Sequence, residues 1–198
     1  MHWTKRRENF RLLIEGNRCV NPGSVYDAVS ARIAAHVGYE VMVLPGSIAS
    51  MAVLGAPDVM VMTLSDLAEL THRINRAGQL PLLVDADHGF GNALNVRRTI
   101  EELETAGAAA ITIEDTALPK PFGSQTTAFI SLEEGVAKMH AALDARQDPT
   151  LSIIARTNVA GVLGIDEAVR RAQAYEKTGV DGLFFTGIIQ HSDLEKLS

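Results

Sequence analysis

The feature that most limits what this chain can fold into is a rhythm. Short runs rich in Val, Ile and Leu alternate with helix-like segments along almost the whole sequence. The runs at 18–21, 40–47, 80–87, 109–115, 151–158 and 180–187 are nearly continuous in apolar residues, whereas a strand with one wet face would alternate them with polar ones. Runs of this kind read as parallel strands covered on both faces, and strand–helix alternation implies crossover connections in an α/β sheet. The intervening helices carry their own end signals. Thr63 with Asp66, and Ser131 with Glu134, have the spacing of capping boxes. Gly38, Gly78, Gly107 and Gly179 stand where helical patterns stop, as left-handed C-terminal glycines do.

The connections are unequal. Helix-to-strand links look one to three residues long, while 47–62 and 116–130 are long strand-to-helix links. Long loops at the carboxyl ends of parallel strands describe the working face of a (β/α)-barrel or of a doubly wound sheet. A closed (β/α)8 barrel takes about 250 residues. This chain has 198 residues and six strand candidates. The expectation is therefore one α/β domain over 1–198, either an open sheet or a barrel with about six of its eight strand–helix units present. No Pro/Ser-rich linker or charge run divides it.

Composition enters mainly as exclusions. The net charge is −6 with no clustered basic face, which argues against a nucleic-acid partner. No apolar run approaches the roughly 18–20 residues that span a bilayer, so no membrane partner is expected. The opening residues 1–8 lead into no apolar stretch, so no secretory signal is expected, and the single Cys19 forbids an internal disulfide. Both observations suit a reducing cytoplasm. An anionic ligand on so acidic a chain would need a local positive field from an arginine, a helix start or a metal ion.

Candidate chemistry gathers at strand ends. Asp85-Ala86-Asp87-His88-Gly89-Phe90-Gly91 closes one run, and aspartates two apart on a strand face the same side. Like charges on one buried surface are costly unless a cation neutralises them or one is protonated, and carboxylate oxygens suit Mg2+ or Mn2+. A solvated strand end with a capping role is the competing account, and His88 reads more simply as a surface residue beside a turn. The Gly-x-Gly lacks the third glycine of a dinucleotide fingerprint and the lysine of a phosphate loop. Glu114 and Asp115 end the next run, and alternation sends them to opposite sides. In an adjacent parallel strand, one of them adds a third carboxylate at the level of Asp85 and Asp87. Arg156 closes another apolar run, where its planar fork would meet a carboxylate of a ligand or of the protein itself. Pro45-Gly46-Ser47 ends a strand with small residues that let backbone N–H groups approach an anion, although a plain tight turn has the same composition.

Together these residues resemble a family. Gly46-Ser47-Ile48-Ala49-Ser50, Ala56-Pro57-Asp58, the Asp85–Asn92 segment, Ile113-Glu114-Asp115-Thr116 and Ala155-Arg156-Thr157-Asn158 are similar, in order and spacing, to the isocitrate lyase/phosphoenolpyruvate mutase superfamily. Residues 115–123 and the N-terminal half most resemble its oxaloacetate decarboxylase branch. The resemblance implies a (β/α)8 barrel of dimers or tetramers that binds a small α-keto carboxylate on Mg2+. It implies Asp85 as the direct metal ligand, Asp87 and Glu114 as water-mediated ones, Ser47 against the substrate carboxylate, Arg156 holding the substrate, and Asp58 near it. The implied reaction is decarboxylation of oxaloacetate to pyruvate and CO2 through an enolate.

Departures narrow the choice. The lyase branches carry a cysteine and a histidine in the loop that corresponds to 116–130, and neither is present here, which disfavours methylisocitrate-type cleavage. The mutase branches carry lysine and asparagine there. Lys120 matches the first and no asparagine follows it, which leaves phosphonopyruvate or carboxyphosphonoenolpyruvate mutase or hydrolase chemistry as the alternative enzyme reading. The decarboxylase branch also uses a late-strand histidine that lies beyond Ser198, and His191 does not stand in for it. A shortened, catalytically inactive subunit is the non-enzyme alternative. Residues 119–123 are a candidate lid over the site.

Overall fold

The structure, a computed structural model, describes residues 3–197. Helix α1 (Thr4–Ile14) leads into β1 (Gly23–Ser24), α2 (Ala28–Val37), β2 (Met42–Leu44), α3 (Gly46–Leu54) and α4 (Leu64–Ala77). There follow β3 (Leu82–Asp85), α5 (Ala93–Thr105), β4 (Ala110–Glu114), α6 (Leu132–Ala145) and β5 (Ser152–Thr157). The last elements are α7 (Ala160–Leu163), α8 (Ile165–Glu176), β6 (Gly182–Phe185) and α9 (His191–Glu195). All neighbouring strands pair in parallel, in the order β1-β2-β3-β4-β5-β6. Strictly sequential order is that of a barrel wall, since a doubly wound sheet reverses direction at a switch point. The α/β class and the partial barrel expected from the sequence are both present, with β1 and β6 as the two edges of the sheet.

The near-continuous apolar runs explain the layering. Every residue of β4 is buried, and Leu44, Leu82, Val84, Ile111, Ile113 and Ile153 pack against Leu67 and Ile74 of α4, Val96, Ile100 and Leu103 of α5, and Met139 of α6. Each such side chain contributes roughly 1.5–3 kcal/mol on burial. A second cluster joins Phe10 of α1 to Val41, Ala109, Ala110 and Ile154. Helix α1 also reaches the residues that lead into β4, β5 and β6: Arg7 donates to the Ala108 carbonyl, and Arg11 to the Thr150 carbonyl and Asp181. It therefore lies across the amino ends of the strands and leaves the carboxyl ends open.

Several local expectations change. The first strand is Gly23–Ser24 rather than 18–21, because pairing starts only after Pro22, which has no N–H to give a ladder. Gly23 is required there, since a Cβ would come within 2.9 Å of the Tyr39 ring. The strands are shorter than the apolar runs, so links such as 38–41 and 146–151 exceed the expected one to three residues. The stretch 47–62 holds α3, a segment too uniformly apolar to show helical periodicity. The Thr63–Asp66 capping box is complete, but at Ser131 only the forward half forms, the hydroxyl accepting from the Glu134 N–H. Gly38, Gly107 and Gly179 are left-handed, while Gly78 is extended and does not cap that way.

Candidate active site

Four chain segments converge at the open end of the sheet. Strand β3 ends on Asp85, and the chain then turns sharply through left-handed Asp87, Gly89, Phe90 and Gly91. Thr99 Oγ1 donates to the Gly89 carbonyl, and buried Lys138 Nζ donates to the His88 carbonyl at 2.9 Å, so the turn is held from behind. This strained stretch aims the Asp87 carboxylate back toward α3. It lies so close to Gly46 that a Cβ there would meet Asp87 Oδ1 at 2.6 Å, which is why a glycine opens that helix. Strand β4 delivers Thr112 and Glu114, and β5 delivers Arg156.

Arg156 is the centre of charge. Its Nη1 lies 2.8 Å and 2.6 Å from the two oxygens of Asp85, its Nε lies 3.5 Å from Glu114 Oε2, and its guanidinium sits over the Phe184 ring. Neither Arg156 Nε nor Glu114 Oε2, both buried, completes a hydrogen bond among the described residues. Asp85, Asp87, Glu114, Asp58, Ser47 and Arg156 all line one cavity of about 900 Å3, together with Leu118, Lys120, Phe122 and other residues of the 116–130 connection. Every residue singled out in the sequence for binding or catalysis is thus in one place. Asp115 points the other way, into a buried cluster where Arg171 Nη1 and the Tyr175 hydroxyl donate to it.

One arginine does not balance this many carboxylates. Burial first, then the charges of Asp85, Asp58 and Glu114, push the Asp87 carboxyl up to about 8. Burial likewise raises Glu114, and burial and Asp85 raise Asp58. Burial works against the charge of Arg156, but Asp85 and Glu114 outweigh it and its pKa rises. His88 is not the surface residue the sequence suggested: it is buried, and burial with Lys138 nearby lowers it to about 4.

The donor chemistry fits a hard divalent cation. It is all oxygen, it carries surplus negative charge, and among the described residues buried Glu114 Oε2 has no hydrogen-bond partner. Among the described residues no three His, Cys, Asp or Glu side chains converge as a cage of direct ligands. Sequence reading missed Thr112, whose Oγ1 donates to Asp85 Oδ1 at 2.9 Å, and Lys138. The available signals were a lone hydroxyl inside the apolar run 110–113 and a lysine on the inner side of an amphipathic helix.

A parallel α/β wall plugged at its amino ends, with an acidic, arginine-bearing cavity at its carboxyl ends, defines the α/β-barrel class of enzymes. The profile of the phosphoenolpyruvate phosphomutase family matches residues 10–198, and the chain belongs to that family. A relative from Bradyrhizobium diazoefficiens (strain JCM 10833 / BCRC 13528 / IAM 13628 / NBRC 14792 / USDA 110), named oxaloacetate decarboxylase, is 58% identical over all of this chain and 69% of its own length. Among solved structures, 2,3-dimethylmalate lyase, a member of the PEP mutase/isocitrate lyase superfamily, superposes with a TM-score of 0.87 at 29% identity, covering 97% of this chain and 65% of its own. Phosphonopyruvate hydrolase in complex with oxalate and Mg2+ superposes with a TM-score of 0.87 at 31% identity, covering 96% of this chain and 67% of its own. The chain thus spans about two thirds of the length of these proteins. No helix among the described residues is long and apolar enough to cross a membrane.

Proposed function

We propose that this chain decarboxylates oxaloacetate to pyruvate and CO2, with Mg2+ as the resident ion and Mn2+ able to replace it. The observation that carries the reading is the convergence of Asp85, Asp87, Glu114 and Asp58 on one arginine, Arg156, in a single cavity. The 58%-identical relative named oxaloacetate decarboxylase and the neighbour that binds oxalate and Mg2+ support it. Asp85 would hold the ion directly, and Asp87 and Glu114 through water. When bound, Mg2+ supplies Lewis acidity toward the keto oxygen.

The remaining work falls to side chains. Arg156 offers a planar fork to a substrate carboxylate and a fixed positive charge where negative charge grows. Ser47, in the first turn of α3, adds its hydroxyl and the helix start on the other side of the cavity. As the C3–C4 bond breaks, CO2 leaves and the electron pair passes through C3 to the keto oxygen, giving the enolate of pyruvate. A proton on C3 completes the product. Asp58, which lines the same cavity, would supply that proton. No nucleophile is needed, in keeping with a 116–130 connection that has neither cysteine nor histidine. Leu118 and residues 120–125 of that connection line the chamber. We read 1–198 as one α/β-barrel domain that assembles as a dimer or tetramer, which light scattering measures directly.

The test is a turnover screen with oxaloacetate, methylisocitrate and phosphonopyruvate, each with Mg2+, Mn2+ or EDTA. The reading expects pyruvate from oxaloacetate only with a divalent ion. Preference for phosphonopyruvate would transfer the assignment to the hydrolase or mutase branch. Inertness toward all of them would favour a non-catalytic chain.

A further inference from the structure

We propose that Thr112 is a positioning residue that fixes the carboxylate of Asp85 for its cation. The inference rests on the reading of Asp85 as the direct metal ligand. Thr112 is the register partner of Asp85 on the neighbouring strand β4, so parallel pairing puts the two side chains at one level on the same face of the sheet. Thr112 is 1% exposed and lines the cavity, and its Oγ1 lies 2.9 Å from Asp85 Oδ1. A carboxylate only accepts, so the hydroxyl spends its one proton on Asp85.

The other ties on Asp85 differ in kind. The Asp87 N–H reaches Oδ1 at 3.3 Å and the Gly46 N–H reaches Oδ2 at 3.5 Å, both long. Arg156 Nη1 straddles the two oxygens. That guanidinium is also the group assigned to the substrate carboxylate, so its hold on Asp85 weakens when it turns to substrate. Thr112 holds Oδ1 whether or not Arg156 has turned to substrate, and a single Nη1 shared between both oxygens does not replace it. The terminal torsion of an aspartate is broad, so without that hydroxyl the ligand oxygen would sample many orientations. Hydroxyls and carbonyls that orient metal ligands elsewhere change metal affinity by about ten- to a hundredfold when removed.

The experiment titrates Mn2+, followed by its electron paramagnetic resonance signal, into the metal-free chain without substrate. Thr112→Val keeps the shape and the strand preference and loses the hydroxyl. Thr112→Ala loses both shape and hydroxyl, and Thr112→Ser keeps the hydroxyl alone. Val and Ala are expected to weaken Mn2+ binding by about ten- to a hundredfold and Ser to stay near the parent, with melting in EDTA reporting the fold separately. Should Thr112→Val fail to fold, the Ser–Ala pair makes the same comparison. Equal affinity in the parent and in the hydroxyl-free variants would overturn the assignment of Thr112, as would Ser and Ala weakening binding alike. A parent chain that binds no Mn2+ would instead contradict the metal reading of Asp85 itself.

Discussion

The two ends of the barrel wall each gather carboxylates around an arginine, fully buried at one end and half-buried at the other, and they treat them in opposite ways. At the amino end, Arg7 donates to Asp148 at 2.7 Å and to the carbonyls of Ala108 and Glu104. Glu104 accepts the backbone N–H groups of Gln147 and Asp148, and Asp148 accepts from Thr4 and Thr150. Burial works to raise Asp148, yet these hydrogen bonds hold it well below the usual carboxylate range. At the carboxyl end the carboxylates outnumber the arginine, Asp87 is pushed up to about 8, and among the described residues buried Glu114 Oε2 and Arg156 Nε complete no hydrogen bond. The closed network ties α1 to the sheet. The open one leaves its negative charge unmatched by the described protein groups. Conserving stability at one face and giving it up at the other is the usual division of labour in barrel enzymes.

The comparison can be broken at either end. The largest expected effect is on activity: Asp85→Ala removes the proposed direct ligand and should lower Mg2+-dependent oxaloacetate decarboxylation by about a thousandfold, equivalent to about 4 kcal/mol, measured as pyruvate formed. Next is stability at the opposite end. Arg7→Met leaves Asp148 and Glu104 buried without their cation, and should cost about 3 kcal/mol in denaturant unfolding while kcat/KM of the folded protein stays unchanged. A loss of kcat/KM with normal stability would dissolve the contrast between the ends. Arg156→Lys keeps the charge and loses the planar fork, so KM for oxaloacetate should rise about tenfold with a smaller change in kcat.

How much of this was legible in the sequence depends on what each element needs. The strand–helix alternation and the meeting of Asp85, Glu114 and Arg156 at one end of the sheet were readable because β-strand period and apolar runs fix them locally, whereas Asp87 was expected on the same strand face as Asp85 and instead reaches the cavity from a left-handed turn beyond β3. Helix α3 was not, since Ile48 to Leu54 shows no polar face to reveal a helical period. Nor was β1, where a two-residue pairing after Pro22 depends on the partner strand rather than on its own residues. The role of α1 as the plug of the amino ends is set by contacts to residues 101 and 141 positions away, Ala108 and Asp148, which no local pattern contains. His88 was misjudged because its burial comes from the turn behind it and from Lys138, distant in sequence.

The electrostatic contrast is sharpened through pH. A carboxyl whose pKa is raised on folding binds its proton more tightly in the native state, so its contribution is full below about pH 4 and is lost as pH rises toward about 8. Asp87, faced by Asp85, Asp58, Glu114 and Arg156, should therefore make the metal-free chain less stable between pH 4 and 8. Asp148 and Glu167, the latter lowered to about 2, run the other way: their stabilisation is present above about pH 4.5 and is lost only in stronger acid. Asp87→Asn should flatten the metal-free decline in melting temperature from pH 5 to 8, and the stabilisation of the parent by Mg2+ should grow across the same interval. A parent chain equally stable at pH 5 and pH 8 in EDTA would contradict this.

The most direct measurement is a crystal structure grown with Mg2+ and oxalate. The account predicts the ion on Asp85, water between it and Asp87 and Glu114, and oxalate against Arg156 and Ser47. An ion bound away from Asp85, with Arg156 still clasping that carboxylate and oxalate elsewhere, would contradict the claim that the acidic surplus at this end exists to hold a cation.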